Sequence, residues 1–299
     1  MTIVELRNGP LEARISTRGG TVLSLSWEKD GGRVPLLRRA LSDDADALSA
    51  GCYPMVPFGN RVRDNSFSFG GRNYALEPNT TWDPHYLHGD GWQAEWTVVK
   101  QGESEVELAF SHIGKGTPYR YEVLQRFTIA DGALELWMSV TNSGVEALPF
   151  GLGWHPYFPM TPQTVLKAPA VRIWTEAAGW LPGDAAEIPD DLNFSKARPL
   201  PHRWVNNGFE GWTGQAEISW PERGARLRLT ADPLFKHAFV FVSDIRFDPA
   251  FQRDYFCFEP MSHLANGHNL QGLGDLVVLA PGEGLAGSIW LRPEAIARD

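Results

Sequence analysis

Apolar and polar residues alternate with a period of two through much of the chain, as they do in strands that bury one face. Between residues 21 and 27 the leucines and the tryptophan fall on one side and the serines on the other. The clearest case joins residues 121–130 to 133–141 through the Asp131-Gly132 pair, which favours a two-residue hairpin turn. The repeated pattern predicts an antiparallel meander.

Three further pairs of segments are predicted hairpins because turn residues separate them. They are 67–69 with 72–74, 218–220 with 226–230, and 276–279 with 286–291. Between residues 237 and 259 the composition predicts strand, loop, strand. Helical patterning is thin, and only residues 36–48 are compatible with a helix, although their apolar spacing is irregular.

Short strands, frequent turn signals and little helix predict an all-β protein, either a sandwich or a barrel. The stretch 159–201 carries seven prolines and weak periodicity, which predicts a long excursion over the strands and not a linker. Strand patterning resumes after it, and large β folds often exceed 200 residues as one unit. We therefore predict a single domain over residues 1–299.

Composition narrows the function. A net charge of -9 with no basic block argues against a nucleic-acid partner. The first residues lack the pattern of a secretory signal and no apolar run reaches membrane-spanning length, so we expect a cytoplasmic protein with no membrane partner. With only two cysteines in a chain of this size, Cys52 and Cys257 are expected to be buried thiols and not a disulfide.

The chain has twelve tryptophans, many for its length. One explanation is a core built from large aromatic plates. The other is stacking on a ligand, to which an amphipathic indole is suited. Tryptophans in turn-rich, polar surroundings are the candidates for the second role: Trp82, Trp92, Trp154 and Trp212.

Four stretches combine ionisable residues, turn residues and apolar neighbours, as groups do when burial tunes them. They contain Asn60-Arg61, His88, His155 and Glu259. Arginine offers a planar fork of donors and histidine a switchable proton, which suit a hydroxyl-rich or anionic ligand. A carboxylate that ends the apolar run Tyr-Phe-Cys-Phe must meet a cation or a polar cavity. A structural ion pair between Glu259 and Arg61, and a structural role for His155, stay open as alternatives.

Metal and cofactor motifs are weak. The histidines at 85 and 88, or Glu259 with His263 and His268, have spacings that zinc can use, but neither set matches a tight motif. Glycine-rich nucleotide loops and a nucleophile elbow are absent from the sequence. We therefore predict neither a metal nor a cofactor.

In this order, the four stretches resemble the aldose 1-epimerase (galactose mutarotase) family. The resemblance runs from about residue 11 to 291 and is carried by Pro-Phe-Gly-Asn-Arg-Val at 57–62, Leu-His-Gly at 87–89, Gly-Trp-His-Pro-Tyr-Phe at 153–158, the stretch 212–221 and Glu-Pro at 259–260. It implies a single large antiparallel β-sandwich, the galactose mutarotase-like supersandwich, with an open sugar-binding face. It also implies interconversion of the α and β anomers of a free aldose.

By the same resemblance, His155 matches the general acid of the family and Glu259 its general base, while Arg61 and His88 match residues that hold the sugar. Ring opening needs a base for the C1 hydroxyl proton and an acid for the ring oxygen. A paired carboxylate and imidazolium favour each other's charged forms, so both are expected to be charged. Asn60, Trp154 and Asn206 complete the predicted substrate-binding set.

One departure from the family pattern concerns the sugar. Where the family usually has an aspartate that grips hydroxyls, this chain has Asn206. An amide lacks the charge that strengthens such hydrogen bonds, so a sugar other than galactose or glucose is expected.

Two other functions remain open, and both would take a small-molecule sugar as the partner of a monomer or homodimer. One is a non-catalytic sugar-binding or sensor protein on the same fold, suggested by Asn206 and the tryptophans. The other is a sugar-phosphate epimerase, in which Arg61, Arg63 and Arg72 would bind the phosphate.

Overall fold

The computed structural model describes residues 1–297. Antiparallel strands dominate it, in two large sheets and three two-stranded ones. In chain order the strands are β1 (Ile3–Asn8), β2 (Leu11–Ser16), β3 (Thr21–Lys29), β4 (Gly32–Pro35), β5 (Cys52–Met55), β6 (Arg61–Val62), β7 (Ser66–Phe69), β8 (Arg72–Ala75), β9 (Tyr86–Leu87), β10 (Thr97–Gln101), β11 (Glu105–Ile113), β12 (Arg120–Ala130), β13 (Ala133–Asn142), β14 (Leu148–Phe150), β15 (Gly153–Pro159), β16 (Val165–Lys167), β17 (Arg172–Glu176), β18 (Pro182–Ala186), β19 (Arg198–Pro199), β20 (Val205–Glu210), β21 (Gln215–Trp220), β22 (Ala225–Ala231), β23 (His237–Val242), β24 (Tyr255–Met261), β25 (Val277–Leu279) and β26 (Gly284–Ala295).

Helical structure in residues 1–297 is limited to 3-10 turns of three to five residues. They are Ala47–Ser49, Arg63–Asn65, Gly91–Gln93, Ala178–Trp180, Asp190–Leu192, Pro221–Arg223, Gly267–Asn269 and Gln271–Asp275. No helix in this part of the chain has the length and apolar character that crossing a membrane requires.

The two large sheets pack face to face. One has eleven strands in the order β1-β2-β3-β5-β15-β24-β23-β20-β17-β18, with β4 paired to β3, and the other has nine in the order β10-β11-β12-β13-β26-β22-β21-β16-β19. The core lies between them: the rings of Trp154 and Phe127 meet across the gap at 5.9 Å, and the indole of Trp220 donates to the carbonyl of Pro159 at 2.8 Å. The predicted all-β antiparallel sandwich is confirmed.

Local sequence determines the best-predicted hairpins. Along β12 and β13 buried and less buried residues alternate, and the turn residues Asp131 and Gly132 both have positive φ, 50° and 73°. That geometry matches the twist of the flanking strands. The hairpins β7–β8 and β21–β22 and the strand, loop, strand arrangement of β23 and β24 are likewise confirmed.

Two local predictions are wrong. Residues 36–48 do not form a helix; a loop runs there, and the guanidinium of Arg38 donates to the carbonyl oxygens of Leu48 and Ala50. The predicted terminal hairpin is not formed either, because β25 pairs with β14 while β26 pairs with β13 and β22. Long-range pairing overrides the local turn signal in that segment.

The proline-rich stretch 159–201 is also more ordered than predicted. It adds β16 and β19 to one edge of the nine-stranded sheet, and β17 and β18 to one edge of the eleven-stranded sheet. Proline is tolerated on edge strands and at strand starts, where no donor to a neighbour is needed. Pro182 begins β18 and Pro199 lies in the terminal strand β19, which explains how strands form despite weak periodicity.

Cys52 and Cys257 are both buried and unpaired, as predicted. Burial raises the pKa of each thiol well above its ordinary value. Cys52 on β5 is a small apolar group in the core between the sheets, whereas Cys257 on β24 packs with Tyr53 and Tyr157 under the cavity described next.

Candidate active site

A cavity of about 1010 Å³ opens on the face of the eleven-stranded sheet that points away from the core. The alternation of side chains along β15 separates the two faces: Trp154 and Phe158 pack in the core, whereas His155 and Tyr157 line the cavity. On β24, Phe258 joins the core and its neighbour Glu259 lines the cavity. The two predicted catalytic residues therefore share one wall.

The strand register brings His155 and Glu259 together. Gly153 pairs with Met261 and Tyr157 with Cys257, so residue 155 stands opposite residue 259. Their Nε2 and Oε1 atoms are 3.2 Å apart, with side chains 9% and 2% exposed. The second oxygen, Oε2 of Glu259, is buried without a hydrogen-bond partner.

Burial decides the protonation of this pair. It lowers the pKa of His155 to about 3 and raises the pKa of Glu259 well above its ordinary value, while the Arg61 guanidinium opposes the second shift. Desolvating two charges here costs more than their attraction returns. Burial thus favours the neutral pair, with the shared proton on Glu259, over the ion pair expected from the sequence.

Tyr53, which the sequence did not single out, holds the imidazole in place. Its ring stacks on His155 at 4.4 Å with an interplanar angle of 18°, and Tyr157 contacts the imidazole at 4.8 Å. Tyr53 is paired directly with His155 between β5 and β15. These aromatic contacts restrict rotation of the imidazole and keep Nε2 beside Glu259.

His88 presents a fixed donor to the cavity. The backbone N–H of Asn60 donates to Nδ1 of His88 at 3.0 Å, so in the neutral ring the hydrogen is on Nε2. Burial holds the pKa of His88 well below its usual range, which keeps the ring neutral. Asn60 and His88 both line the cavity and both have positive φ, 59° and 57°, a conformation that these residue types tolerate better than most.

Gly89 allows this turn to form. Its φ is +69°, and a Cβ there would lie 2.1 Å from the carbonyl oxygen of Val56. A side chain at this position is excluded, and the following residues 90 and 91 donate their N–H groups to the same carbonyl.

Arg61 pairs with Asp83 and not with Glu259, so the structural ion pair considered from the sequence is not formed. Its Nε donates to Oδ2 of Asp83 at 2.8 Å, and both side chains are buried. The guanidinium also lies 5.3 Å from the ring centroid of Trp180. Asp83, which the sequence did not mark, fixes Arg61 in the cavity wall.

Asn206 lies in the cavity wall with its amide oriented by acceptors. Nδ2 donates to Oε1 of Glu176 at 2.8 Å and to the carbonyl of Trp180 at 3.5 Å, which leaves Oδ1 as the group available to a ligand. The other oxygen of Glu176 accepts from the indole of Trp204 at 2.7 Å. The carboxylate of Glu176 on β17 therefore orients the amide of Asn206.

Trp154 is a wrong prediction. Its side chain is fully buried in the core against Phe127 and points to the opposite side of β15 from His155. Residues adjacent in a strand face opposite ways, so the neighbour of a cavity residue is excluded from the cavity.

Of the other three tryptophan candidates, two are buried and one lines the cavity. Trp92 is buried against Tyr53 at 5.8 Å, beneath the site, and Trp212 is buried against Phe258 at 5.3 Å. Trp82 lines the cavity and is 44% exposed. Of these four, only Trp82 can stack on a ligand there.

The alternative zinc and phosphate sets do not come together. His263 accepts from the N–H of Gly59 at 2.9 Å, and His268 is hydrogen-bonded to the hydroxyl of Tyr119 at 2.8 Å. Within residues 1–297, no three His, Cys, Asp or Glu side chains are grouped as a metal would require.

The three arginines proposed for a phosphate are separated as well. Arg61 is in the cavity wall, Arg63 is exposed outside that wall, and Arg72 pairs with Glu146. The phosphate cluster predicted from these residues is therefore wrong.

The chain is thus a very large antiparallel sandwich with a buried carboxyl and imidazole on its open face. The family model for aldose 1-epimerase matches residues 2–292, and this chain belongs to that family. The predicted family and supersandwich fold are confirmed.

Escherichia coli K12 has both a similar curated sequence and a similar solved structure. The uncharacterized protein YphB is 44% identical over 295 residues, which cover 98% of this chain and 99% of YphB. A crystal structure from the same organism has a TM-score of 0.94 at 43% identity, with 99% of each chain covered. A galactose mutarotase-like protein from Clostridium acetobutylicum shares the fold, with a TM-score of 0.83 at 20% identity over 98% of this chain and 95% of the other.

Proposed function

We propose that this protein is a mutarotase that interconverts the α and β anomers of a free aldose in the cavity. The observation that carries the proposal is the buried contact of 3.2 Å between Nε2 of His155 and Oε1 of Glu259. An acid and a base must flank the same sugar carbon, and this pair opens on a cavity with polar donors and acceptors.

The single proton of the pair suffices for the reaction. When a sugar's hydroxyl groups and Arg61 stabilise the carboxylate, the proton moves from Glu259 to His155 across their contact. Glu259 then removes the proton from the C1 hydroxyl and His155 protonates the ring oxygen as the bond from C1 to that oxygen breaks. Rotation about the C1–C2 bond and reclosure by the reverse transfers give the other anomer.

The ring-opened stage leaves Glu259 protonated and His155 neutral, the state that burial favours. The pair therefore has the same protonation state before and after ring opening, so the reverse transfers can close the ring from either face. Around it, Nε2–H of His88 and the guanidinium of Arg61 donate to sugar oxygens, and Oδ1 of Asn206 accepts from a hydroxyl.

The test is mutarotation of freshly dissolved α-anomers of several aldoses, followed by polarimetry. Glu259→Gln and His155→Ala are each expected to slow the best substrate by about 10²- to 10⁴-fold, because each removes one proton-transfer group. Glu103→Gln, on an exposed carboxylate far from the strands that carry the pair, is the control and keeps the wild-type rate. A Glu259→Gln variant as fast as wild type on a sugar that wild type accelerates would refute the proposal.

The second candidate is a sugar-binding protein that performs no catalysis, favoured by one observation: Asn206 supplies a neutral acceptor where a carboxylate would grip more tightly. It predicts saturable binding in calorimetry without acceleration of mutarotation by any sugar in the panel.

A further inference from the structure

The cavity extends well beyond the His155–Glu259 pair. Its volume of about 1010 Å³ is at the upper end of the roughly 300–1,000 Å³ typical of pockets for drug-sized ligands. One aldose ring fills only part of such a space. The remainder continues past Asn206 to three aromatic side chains, Trp82, Trp180 and Phe247, which we call the aromatic wall.

The aromatic wall is assembled from three separate segments of chain. The ring of Phe247 meets Trp180 at 5.5 Å and Trp82 at 6.3 Å, both nearly perpendicular at 86°. Behind it, Trp204 and Phe241 each pack within 6 Å of Phe247, at 5.2 Å and 5.6 Å. The wall is therefore supported from beneath and presents its rings to the cavity.

Two of these rings are unusually open to solvent. Trp82 is 44% exposed and Phe247 is 36% exposed, although both are large and apolar. Exposed aromatic surface that is contiguous with a polar cavity marks a binding surface more often than a packing defect. Flat aromatic faces can stack on the C–H face of a pyranose. The hydroxyl groups at the edge of the sugar ring then stay in contact with water.

Trp180 connects the wall to the sugar-binding residues. Its φ is +60°, a left-handed conformation that is an outlier for a bulky side chain. In that conformation its ring lies 5.3 Å from the Arg61 guanidinium and its carbonyl accepts from Asn206. The strained backbone of Trp180 therefore places its ring between the aromatic wall and the residues of the first sugar site.

We propose that the aromatic wall is a second sugar subsite, and that the substrate is the reducing end of a disaccharide or longer oligosaccharide. The reducing ring occupies the His155–Glu259 site, and the next, uncharged ring stacks on Trp82 and Phe247. The inference rests on the proposed function for its catalytic part, and on the wall alone for its binding part.

The experiment compares kcat/KM for mutarotation of maltose, cellobiose, lactose and melibiose with that of glucose, the reducing-end sugar of all four, and of mannobiose and xylobiose with those of mannose and xylose. At least one disaccharide is expected to exceed its own reducing-end monosaccharide by about tenfold, mostly through a lower KM. Trp82→Ala and Phe247→Ala, on different loops, are each expected to remove that advantage, so that the disaccharide loses about tenfold more than the monosaccharide. Ile245→Ala, on an exposed neighbour of Phe247 outside the cavity wall, leaves the ratio unchanged.

Calorimetry on Glu259→Gln separates binding from catalysis. Tighter binding of a disaccharide that depends on Trp82, with no mutarotation by wild type, would refute the proposed function and support the subsite. Mutarotation of monosaccharides with no disaccharide preference in rate or binding would refute the subsite and leave the function standing. An equal loss of kcat/KM for disaccharides and monosaccharides in the Trp82→Ala and Phe247→Ala variants would also refute the subsite. So would a preference for an anionic sugar that depends on the neighbouring Arg246.

Discussion

At the scale of single residues, one proton shared by two buried side chains governs the proposed chemistry. Burial favours a neutral His155 and a protonated Glu259, so the ionic form needed to start the reaction must be stabilised by the ligand and by Arg61. A polar sugar does this by replacing the water that burial removed. The ionic form of the pair is therefore more populated when a sugar is bound than in the empty cavity.

Asn206 and Glu176 allow a direct test of how the sugar hydroxyl is held. Asn206→Asp places a carboxylate oxygen where Nδ2 now donates to Oε1 of Glu176 at 2.8 Å. Two negative charges at that distance repel each other, so the carboxylates at 206 and 176 would not both be ionised without a cost in free energy. We expect KM for the sugar to rise about tenfold with a smaller change in kcat. Asn206→Asp combined with Glu176→Gln restores a donor and an acceptor, and is expected to recover most of that loss.

A double-mutant cycle over the four proteins measures the coupling, which is expected to fall in the range of about 0.5–3 kcal/mol for residues in contact. If the double variant binds no better than Asn206→Asp alone, Glu176 does not orient the asparagine.

Sequence could single out His155 and Glu259, because an ionisable residue among aromatic neighbours is conspicuous. It could not give their protonation, since desolvation depends on packing from distant strands. The alternation that placed His155 also excluded Trp154, so that error was avoidable. Asp83 and Glu176 carried no local signal: each acts on a residue more than 20 positions away.

At the scale of elements, strands and turns with their own turn chemistry were predictable, as at Asp131-Gly132. The pairing of β25 with β14 was not, because it joins segments with about 130 residues between them. The edge strands of 159–201 were missed because prolines conceal their periodicity. Turn residues and alternation in the sequence are enough to predict hairpins. The order of strands in a sheet depends on contacts between distant segments, which the local sequence does not encode.

The turn that carries His88 gives a prediction at this scale. Gly89→Ala combines positive φ with a clash at 2.1 Å against the Val56 carbonyl oxygen, whereas Gly70 has φ of +57° and open space around its Cβ position. We expect Gly70→Ala to cost about 1 kcal/mol of unfolding free energy with activity intact. Gly89→Ala should cost clearly more and lower kcat/KM at least tenfold, because His88 is displaced.

Denaturant melts and mutarotation rates on the two alanine variants provide the measurement. Equal stability losses, with activity preserved in Gly89→Ala, would show that the turn does not position His88.

At the scale of the whole molecule, buried histidines make stability depend on pH. His88, His155, His263 and His268 all have a pKa lowered by burial. Below their ordinary pKa of about 6.5 they take up protons only on unfolding, so the unfolded state binds more protons and stability falls as the pH falls.

Two carboxyl groups act in the opposite direction. Burial raises the pKa of Glu259 and Asp90, so they release protons on unfolding above their ordinary pKa and offset part of the histidine effect. Burial lowers the pKa of His112 and His237 as well, so the shifted histidines outnumber the shifted carboxyl groups, and the free energy of unfolding is expected to fall as the pH falls from 6 to 5.

Chemical denaturation at several pH values checks this slope. His155→Gln is expected to reduce it by about 1.4 kcal/mol per pH unit, because one proton-binding site is lost from the unfolded state. His202→Gln changes an exposed histidine and serves as the matched control, with the wild-type slope. Identical slopes in the two variants would mean that His155 is not held neutral by burial.

The neighbouring strands β15 and β24 are made at different times by the ribosome. About a hundred residues of translation separate His155 from Glu259, which takes roughly 5–20 seconds at about 5–20 residues per second. During that interval the growing polypeptide has the imidazole but lacks its carboxyl partner. A stalled chain that ends at residue 250 would lack the proposed proton-transfer pair, so the proposed mutarotation would require the β24 segment to have left the exit tunnel.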